Sequence, residues 1–418
     1  MLDIKFIREN SEAVKMKVSR KGADPTIVDE LLEIDQQRRV VLSELERAQS
    51  ELNIQSADIA KLHGQQKIDA IKEASEASEK VKELKPEADK LNTLYKELIF
   101  ALPNPPEDDV IDGLSDKDNT VNRSWGETPK FNFEPKDHVT LGEELDLIDI
   151  ERAGKISGSR FYYLKNQLVI MELALIRYAL DILAAEGFTP MIVPDLLNRA
   201  IMEGSGYIPS GEDEIYKTQD NTYLAGTAEQ PLVGYHMNEV LPAKKLPLRY
   251  AGFSTCFRRE AGSYGKDVRG ILRAHQFDKV EMFSFVKPSE SKKEHEYLVS
   301  LEEKIVQGLK IPYQIVNICA GDLGAPASKK FDLECWMPGE GKYRETHSCS
   351  NCTDFQARRL NIKYKDRDKT ELVHTLNGTA VAIGRMLIAI MENYQTSEGT
   401  IKMPEALVKY TGFEEIKK

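Results

Sequence analysis

The N-terminal quarter of the chain carries an apolar repeat with spacings of three and four residues. A short helical lead-in over residues 1–25 is predicted to end near Gly22 and Pro25. The repeat then runs, with Arg38 in one of its positions, through Ile27, Leu31, Ile34, Val41, Leu45, Ala48 and Leu52. A stripe with this period is the seam of a coiled coil. We therefore predict one long amphipathic helix.

A second run of the same kind follows a break at Gly64. With one three-residue slip, it contains Ile71, Ala74, Ser78, Val81, Leu84, Ala88, Leu91, Tyr95 and Leu98. Two such helices joined by a glycine-containing break predict an antiparallel helical hairpin. Pro103, Pro105 and Pro106 end the run, because proline breaks helices. The predicted domains are therefore 1–103, a helical arm, and 104–418.

The pattern of the arm leaves its role open. Residues 27–100 hold eleven Lys and Arg against sixteen Asp and Glu, so the arm has no overall basic character. The pattern alone favours an oligomerisation coil without a ligand. Binding of RNA would need a local basic face. The candidate solvent-side cations are Arg39, Lys61, Lys67, Lys72 and Lys80.

Mixed helix and strand patterns fill the second domain. An amphipathic helix is predicted over 167–185, followed by a strand over 188–194 that closes at a proline. Residues 331–336 have the pattern of a strand. Residues 372–379 predict a strand with a tight turn, and 380–393 predict a helix.

Residues 256–285 predict a strand, a loop and a returning strand. The loop contains Gly262, Gly265 and Gly270, and it is long enough to close over a ligand. Because residues two apart on a strand share a face, Arg258 and Glu260 are expected to point the same way.

The returning strand repeats this spacing with Phe277 and Glu281. A guanidinium holds phosphate or carboxylate in a fork, and an aromatic ring stacks on a base. Arg258, Glu260, Phe277 and Glu281 together predict binding of a nucleotide and a small polar molecule. For any one of these residues alone, an ordinary surface charge pair is the simpler interpretation.

Composition excludes several classes of protein. The chain has a formal charge of −11, with 41% hydrophobic and 30% charged residues. These values indicate a globular chain unsuited to indiscriminate nucleic-acid binding. No signal peptide or membrane-spanning segment is apparent. The odd number of cysteines, five, favours a reducing compartment, so a cytoplasmic location is expected.

Cys349 and Cys352 form a CxxC pair with His347 nearby, a pattern that zinc or redox chemistry would use. No second cysteine pair and no thioredoxin-like strand–helix unit accompany it. We therefore expect structural thiols and no structural zinc.

The amino-acid sequence of residues 256–260 and 273–281 resembles the second motif of class II aminoacyl-tRNA synthetases. It is most similar to the form of this motif in seryl-tRNA synthetases of bacterial type. The first motif is similar to the helix and strand over 167–194, and the third to the segment that contains Arg385. The prolines after residue 102 and the run from Glu345 to Cys352 are also similar to this family. The resemblance covers essentially the whole chain.

The resemblance implies an α+β fold: an N-terminal antiparallel coiled-coil hairpin followed by a class II antiparallel-sheet catalytic domain, in a homodimer. It implies a ligase that activates L-serine with ATP and Mg²⁺ and charges tRNA(Ser), with tRNA(Sec) as a second candidate. The arm would then grip the tRNA.

Site residues are implied by the same resemblance. Arg258, Glu260 and Arg385 would be catalytic, with Arg258 on the serine carboxylate and α-phosphate and Arg385 on the outer phosphates. Phe277 would stack on adenine beside the backbone of Ala274. The full ATP set is Arg258, Arg259, Glu260, Ala274, Phe277, Glu345, Thr346, His347, Ser348 and Arg385, with Glu345 and Ser348 as Mg²⁺ ligands.

The implied serine set is Thr227, Ala228, Glu229, Arg258, Glu281, Asn377 and Thr379. Thr227 and Glu229 would receive the ammonium group, and Glu281 and Thr379 would contact the serine hydroxyl. Thr379 stands where many relatives have Ser, which keeps the hydroxyl and adds a methyl group.

Two other functions stay open. An interaction protein with a degenerate synthetase domain is disfavoured by the intact Arg258, Glu260, Glu345 and Arg385. An amino acid:carrier-protein ligase is disfavoured by the arm.

Overall fold

A computed structural model describes residues 1–261 and 269–418 of the chain. It divides into two compact units, Met1–Pro103 and Asn104–Lys418. The predicted loop glycines Gly262 and Gly265 lie outside the described residues.

The N-terminal unit is helical. Its helices are α1 (Ile4–Glu9), α2 (Ser11–Ser19), α3 (Thr26–Ile59) and α4 (Gly64–Ala101). Val41 of α3 packs with Ala88 and Leu91 of α4 in a buried cluster, with Ile34 and Leu84 against it. Early residues of α3 thus meet late residues of α4, which confirms the predicted antiparallel hairpin. Ile71, by contrast, is 49% exposed and does not belong to the buried seam.

Polar contacts within the hairpin were only partly predicted. Arg38 donates from Nε to Asn92 Oδ1 at 2.6 Å and lies over the Tyr95 ring. Asp35, which the repeat does not identify as special, is 1% exposed. Its two oxygens accept from Arg8 Nε and Nη2 at 2.7 and 2.8 Å, and Arg39 Nε approaches at 3.2 Å. This buried carboxylate therefore ties α1 to α3.

The C-terminal unit combines short helices with a large sheet. Its helices are α5 (His138–Glu144), α6 (Ile150–Ser157), α7 (Gln167–Ala185), α8 (Arg199–Ser205), α9 (Glu229–Gly234), α10 (Ser291–Gly308), α11 (Phe355–Leu360), α12 (Ile383–Asn393) and α13 (Glu405–Thr411). Its strands are β1 (Thr120–Trp125), β2 (Ile148–Asp149), β3 (Tyr163–Leu164), β4 (Thr189–Ile192), β5 (Leu196–Leu197), β6 (Tyr223–Leu224), β7 (Val240–Pro242), β8 (Leu248–Phe257), β9 (Gln276–Val286), β10 (Tyr313–Asn317), β11 (Lys329–Met337), β12 (Lys342–Thr353), β13 (Lys363–Asp366), β14 (Lys369–Leu372), β15 (His374–Ala382), β16 (Ile401–Lys402) and β17 (Glu415–Ile416).

The main sheet has eight strands in the order β1-β10-β11-β12-β15-β9-β8-β4 within the described residues. All neighbours are antiparallel except β4, which runs parallel to β8. The α+β fold with an antiparallel sheet is thereby confirmed. A smaller sheet, β14-β13-β7, lies in the same unit.

Alternation along β9 shows how the sheet is covered. Val280 and Met282 point into the main core with side chains of α7, α10 and α12. Phe283 and Phe285 point the other way, into a second core. Toward the start of β9, the side chains on this second face are Phe277, Lys279 and Glu281. The candidate site lies on that part of the sheet.

Two local predictions were wrong. No tight turn occurs at Asn377-Gly378, because β15 continues through both residues and pairs them with Phe283 and Met282 of β9. The predicted helix from residue 380 begins instead at Ile383. Strand pairing on both sides outweighs the local turn preference of Asn-Gly.

The strand before the loop is shorter than predicted. β8 ends at Phe257, and Glu260 has a backbone φ of +50°. Strand alternation therefore does not set the direction of Glu260. By contrast, α7 has the predicted bounds, and β4 lies inside the predicted strand over 188–194. Among the described residues, no helix has the length and apolar character needed to cross a membrane.

We expect Arg8→Met to destabilise the root of the hairpin, the end at which Arg8 of α1 bonds to Asp35 of α3. Methionine keeps much of the side-chain volume but removes two hydrogen bonds to the buried Asp35 carboxylate, a loss of about 2 kcal/mol. Hydrogen exchange by mass spectrometry should show faster opening of the N-terminal half of α3. Arg47→Met is the matched control, because the Arg47 side chain is 81% exposed in its pair with Glu51, and exposed pairs contribute little. Equal exchange in both variants would contradict the role given to Asp35.

Candidate active site

Two adjoining hollows lie on the face of the sheet formed by β8, β9, β11, β12 and β15. The first, called the ring hollow, contains from the predicted set Arg258, Glu260, Ala274, Phe277, Glu345, Thr346, Ser348, Thr379 and Arg385. The second, called the acid hollow, contains Glu229, Arg258, Glu281, Glu345, Ser348 and Asn377. Arg258, Lys279, Glu345 and Ser348 line both hollows. A ligand with two chemically different parts could therefore occupy both at once.

A cation and an aromatic ring face each other in the ring hollow. The Arg258 guanidinium carbon lies 5.3 Å from the centre of the Phe277 ring, and its Nε donates to the Gly226 carbonyl at 3.1 Å. This fixes the guanidinium over the ring. Glu260 pairs with Arg273 Nη1 at 2.8 Å. Glu260 and Arg258 do line the same hollow, although not through strand alternation.

A bulge in β12 brings Glu345 and Ser348 together. Glu345 is opposite Glu334 on β11, whereas His347 is opposite Leu333, so Thr346 is an extra residue in β12. Residues three apart on a regular strand point to opposite faces. The extra residue corrects this, and both side chains line the two hollows.

Glu345 is held as a carboxylate by surrounding cations. Burial alone would raise its pKa, but Arg385, Lys330 and Arg258 outweigh burial and lower the pKa to about 2. Its Oε2 lies 3.3 Å from Arg385 Nη1, and its side chain is 44% exposed because it lies on the floor of an open cleft. Arg385 also donates to the Glu345 carbonyl at 2.8 Å.

An ionised carboxylate and a hydroxyl are hard oxygen donors of the kind that Mg²⁺ prefers. Among the described residues, no group of three or more His, Cys, Asp or Glu could hold a metal ion. Glu345 and Ser348 supply two such oxygen donors, which fit a magnesium ion that takes its remaining ligands from phosphate and water.

Two carboxylates lie in the acid hollow. Glu281 is 2% exposed, contacts the Lys279 ammonium, and accepts from Thr227 Oγ1 at 3.5 Å. Glu229 is 5% exposed and accepts from Gln356 Nε2 at 2.7 Å and from the Tyr207 hydroxyl at 3.1 Å. Burial, and then the neighbouring Glu281 charge, raise the pKa of Glu229 to about 7.

Thr379 and Asn377 reach the hollows from β15. Thr379 is opposite Glu281 on β9, and after a bulge Val381 is opposite Val280. Asn377 donates from Nδ2 to Cys352 Sγ at 3.7 Å. The two residues predicted to contact one ligand hydroxyl, Glu281 and Thr379, are therefore direct cross-strand neighbours.

Several predicted residues do not line the hollows, and Thr346 lines the ring hollow without offering its hydroxyl to it. The Thr346 hydroxyl donates to the Leu333 carbonyl, and His347 is 1% exposed, with burial lowering its pKa to about 3. Ala228 is fully buried, and Arg259 is exposed without lining either hollow. Thr227 lines neither hollow, and its hydroxyl accepts from the Glu229 amide at 3.2 Å.

Sequence reasoning missed several residues of the site. Lys279 lies between Phe277 and Glu281 on the same face of β9, so strand alternation could have identified it. Lys330 lines the acid hollow from β11 and pairs with Asp332 at 3.0 Å. No local pattern distinguishes Tyr207 or Gln356.

The CxxC pair is divided between two environments. Cys349 is fully buried in the main core, where burial raises the pKa of its thiol well above the ordinary value. Cys352 lines the acid hollow. A thiol kept protonated is a poor metal ligand. The expectation of no structural zinc stays a prediction.

Known families match both units of the chain. Residues 1–106 match the Seryl-tRNA synthetase N-terminal domain, and residues 213–394 match the tRNA synthetase class II core domain (G, H, P, S and T). The serine–tRNA ligase of Dictyoglomus turgidum is 47% identical over 100% of this chain and 99% of its own length. That of Pyrococcus horikoshii is 46% identical over 100% and 97%.

Solved structures give the same result. The crystal structure of seryl-tRNA synthetase from Pyrococcus horikoshii complexed with ATP has a TM-score of 0.90 at 45% identity, over 100% of this chain and 99% of that one. The cytoplasmic serine–tRNA ligase from Naegleria fowleri in complex with AMP has a TM-score of 0.87 at 34% identity, again over 100% and 99%.

We expect Glu229→Gln to stabilise the fold at alkaline pH. Because the pKa of Glu229 is raised from 4.5 to about 7, its ionisation costs stability as the pH rises through 7, and the cost is absent below 4.5. Thermal unfolding should show the Gln variant more stable at pH 8.5, by on the order of 3 kcal/mol, and equal to wild type near pH 4.5. Glu296→Gln, at an exposed position, is the control. A destabilised Gln variant at pH 8.5 would contradict the assignment.

Proposed function

The chain belongs to the seryl-tRNA synthetases, and on this basis we propose that it activates L-serine with ATP and transfers the seryl group to tRNA(Ser). The observation that carries the proposal is the pair of hollows with a shared wall. One offers an aromatic ring and cations, as a nucleotide requires, and the other offers carboxylates, as a small amine and hydroxyl require.

The first proposed step forms seryl-adenylate. A carboxylate oxygen of serine attacks the α-phosphorus of ATP, the bond to the bridging oxygen breaks, and pyrophosphate leaves. Arg258 would hold the serine carboxylate and α-phosphate at the shared wall, with Arg385 on the outer phosphates and Glu260 on the nucleotide. Such fixed cations stabilise charge that develops on phosphate oxygens. Phe277 would stack on adenine, beside the backbone of Ala274.

The second proposed step charges the RNA. A hydroxyl of the terminal adenosine attacks the seryl carbonyl carbon, the bond from that carbon to the phosphate oxygen breaks, and AMP leaves. The protein would contribute mainly by holding the two reactants in line.

Recognition of serine is assigned to the acid hollow and to Thr379, which lines the adjoining ring hollow. Glu229 and Thr227 would receive the ammonium group, and Glu281 and Thr379 would contact the hydroxyl. Their cross-strand adjacency supports a shared contact. Asn377 would close the same hollow. Arg259, Thr346, His347 and Ala228 stay in the proposed set only for contacts through their backbones or through parts of the ligand outside the hollows.

Glu345 and Ser348 would hold Mg²⁺ with ATP. A bound magnesium ion supplies positive charge to the phosphate oxygens. Glu345 is suited to this because neighbouring cations keep it ionised, and on binding ATP it would exchange its contact with Arg385 for one with the ion.

Three further properties are proposed more broadly. Homodimer formation is supported by exposed apolar side chains on α7 and β4. Among these, Leu173 is 58% exposed and Ile192 is 87% exposed. A cytoplasmic location and charging of tRNA(Sec) also remain proposals. The bacterial type of the family stays a prediction, since relatives from Dictyoglomus and Pyrococcus are 47% and 46% identical.

ATP–pyrophosphate exchange measured with each of the twenty amino acids is the test of activation. We expect serine to support exchange and alanine, which lacks the hydroxyl, to be rejected by roughly 10⁴–10⁵. Glu281→Gln should reduce this discrimination while the protein stays folded, because it weakens the hydroxyl contact but keeps the side-chain volume. If no amino acid supports exchange, the proposed enzymatic function is wrong. If Glu281→Gln leaves the discrimination between serine and alanine unchanged, Glu281 does not contact the serine hydroxyl.

The arm is proposed to bind tRNA and to take no part in the chemistry. Every residue proposed for ATP or serine lies after residue 226. The two long helices have 34 residues in α3 and 38 residues in α4. At the rise of an α-helix, each extends on the order of 50 Å. Arg39 and Lys61 already pair with Asp35 and Asp58, so Lys67, Lys72 and Lys80 are the better candidates for RNA contacts.

Deletion of residues 43–85, with a short glycine-containing turn in their place, is expected to separate the two activities. It keeps the root contacts of Asp35, Arg38, Val41, Ala88 and Leu91. Exchange should stay near the wild-type rate, while the tRNA concentration needed for charging rises at least tenfold. Equal loss of both activities would mean that the arm supports the catalytic fold, and unchanged charging would mean that it does not bind tRNA.

A further inference from the structure

One buried amide connects three elements behind the acid hollow. Gln356 of α11 is fully buried and lines neither hollow. Its Nε2 donates to Glu229 Oε1 at 2.7 Å and to the Ser205 carbonyl at 3.0 Å. Its Oε1 accepts from Thr375 Oγ1 at 2.7 Å. Gln356 therefore links the end of α8, the start of α9 and strand β15.

These partners fix the orientation of the amide. The Ser205 carbonyl can only accept, so the nitrogen of Gln356 must face it. With the nitrogen so placed, the oxygen faces the Thr375 hydroxyl. Rotation of the amide would break the hydrogen bonds to Ser205 and Glu229 and place the amide oxygen against two acceptors, in a buried environment where unsatisfied polar groups are costly. The hydrogen bond to Glu229 is thus a fixed feature of the site.

Glu229 differs from the other carboxylates of the cleft. The three others that line the hollows are each paired with a cation, Glu260 with Arg273, Glu281 with Lys279 and Glu345 with Arg385. The buried Asp332 pairs with Lys330, which lines the acid hollow. Among the described residues, no cation lies within salt-bridge distance of Glu229; its contacts at hydrogen-bond distance are the neutral donors Gln356 and Tyr207.

The surrounding charges act on Glu229 from several elements. Glu281 and Lys279 of β9 have opposing effects on the pKa of Glu229: Glu281 raises it and Lys279 lowers it. Arg258, Lys330 and Glu345 line the same hollow from the end of β8, from β11 and from β12. A buried carboxylate with neutral donors and no protein counter-ion is suited to a cation that arrives with the ligand.

We infer that Gln356 is a positioning residue, whose amide holds Glu229 in place as the acceptor for the ammonium group of the amino-acid substrate. The inference rests on the proposed function in one respect, that the substrate is an amino acid. It goes further because it gives Gln356, which does not contact the substrate, a part in amine recognition through Glu229.

Gln356→Met tests the inference. Methionine has nearly the same shape but cannot donate, so Glu229 loses its shortest hydrogen bond. In ATP–pyrophosphate exchange at pH 7.5, we expect the KM for the amino acid to rise roughly tenfold to a hundredfold. The KM for ATP and kcat should change less than threefold. A hydrogen-bond donor to a carboxylate favours the ionised form, so loss of this donor should raise the pKa of Glu229. The pH below which the amino-acid KM rises should therefore move upward by about one pH unit.

Two further variants guard against a loss of folding. Thr375→Val removes only the donor to Gln356 Oε1 and should raise the amino-acid KM a few-fold, in the same direction. Gln395→Met is the matched control, since Gln395 is also buried and bonded at both ends of its amide, to the backbone of Lys136, away from both hollows. It should leave the KM for the amino acid and its pH dependence unchanged.

The outcomes separate this inference from the proposed function. If serine supports exchange and neither Gln356→Met nor Thr375→Val alters the amino-acid KM or its pH dependence, the positioning role is wrong and the function stands. Exchange with a different amino acid would overturn serine specificity and leave the Gln356 test intact, since every amino acid carries the amine. Equal changes in the KM for ATP and for the amino acid would indicate general damage to the cleft and would also overturn the inference.

Discussion

The catalytic unit depends on the pairing of opposite charges over one face of its sheet. An isolated charge in a partly buried cleft would be destabilising, because burial disfavours the charged form. The fold avoids this by giving most of the carboxylates there a cation of their own, in the pairs Arg273–Glu260, Lys279–Glu281, Lys330–Asp332 and Arg385–Glu345. A ligand with phosphate and amine groups then exchanges partners with residues that are already charged and oriented. Such a site needs little reorganisation when charge develops during a reaction.

Bulges let a regular sheet carry this arrangement. An antiparallel strand offers only every second side chain to one face, which limits how many functional groups one strand can present. The extra residue at Thr346 in β12, and the register shift after Thr379 in β15, change that sequence of faces within the cleft. Glu345 and Ser348 share the cleft for this reason, while His347 between them belongs to the core. The site therefore depends on irregular strands as much as on its particular side chains.

The sequence predicted the fold class well and the site in part. The helical hairpin follows from the apolar repeat, because an apolar stripe that continues over so many turns is buried by packing against another long helix. Phe277 and Glu281 lie on one face of β9 as predicted, because strand alternation is local information. Asn377-Gly378 was misread as a turn, because pairing with β9 and β12 is decided by distant strands. Asp35 and Gln356 could not be found, since their partners lie 27 and 127 residues away along the chain.

The bulge at Thr346 also has a consequence for comparing sequences of this kind. A scan that assumes period-two strands would place Glu345 and Ser348 on opposite faces and discard one of them as structural. A relative with one residue fewer at this position would not have a shorter loop. Each residue from there to the end of the strand would instead point to the opposite face of the sheet. In this part of the chain, insertions and deletions are therefore more informative than substitutions, because a change of one in length alters which side chains meet the ligand.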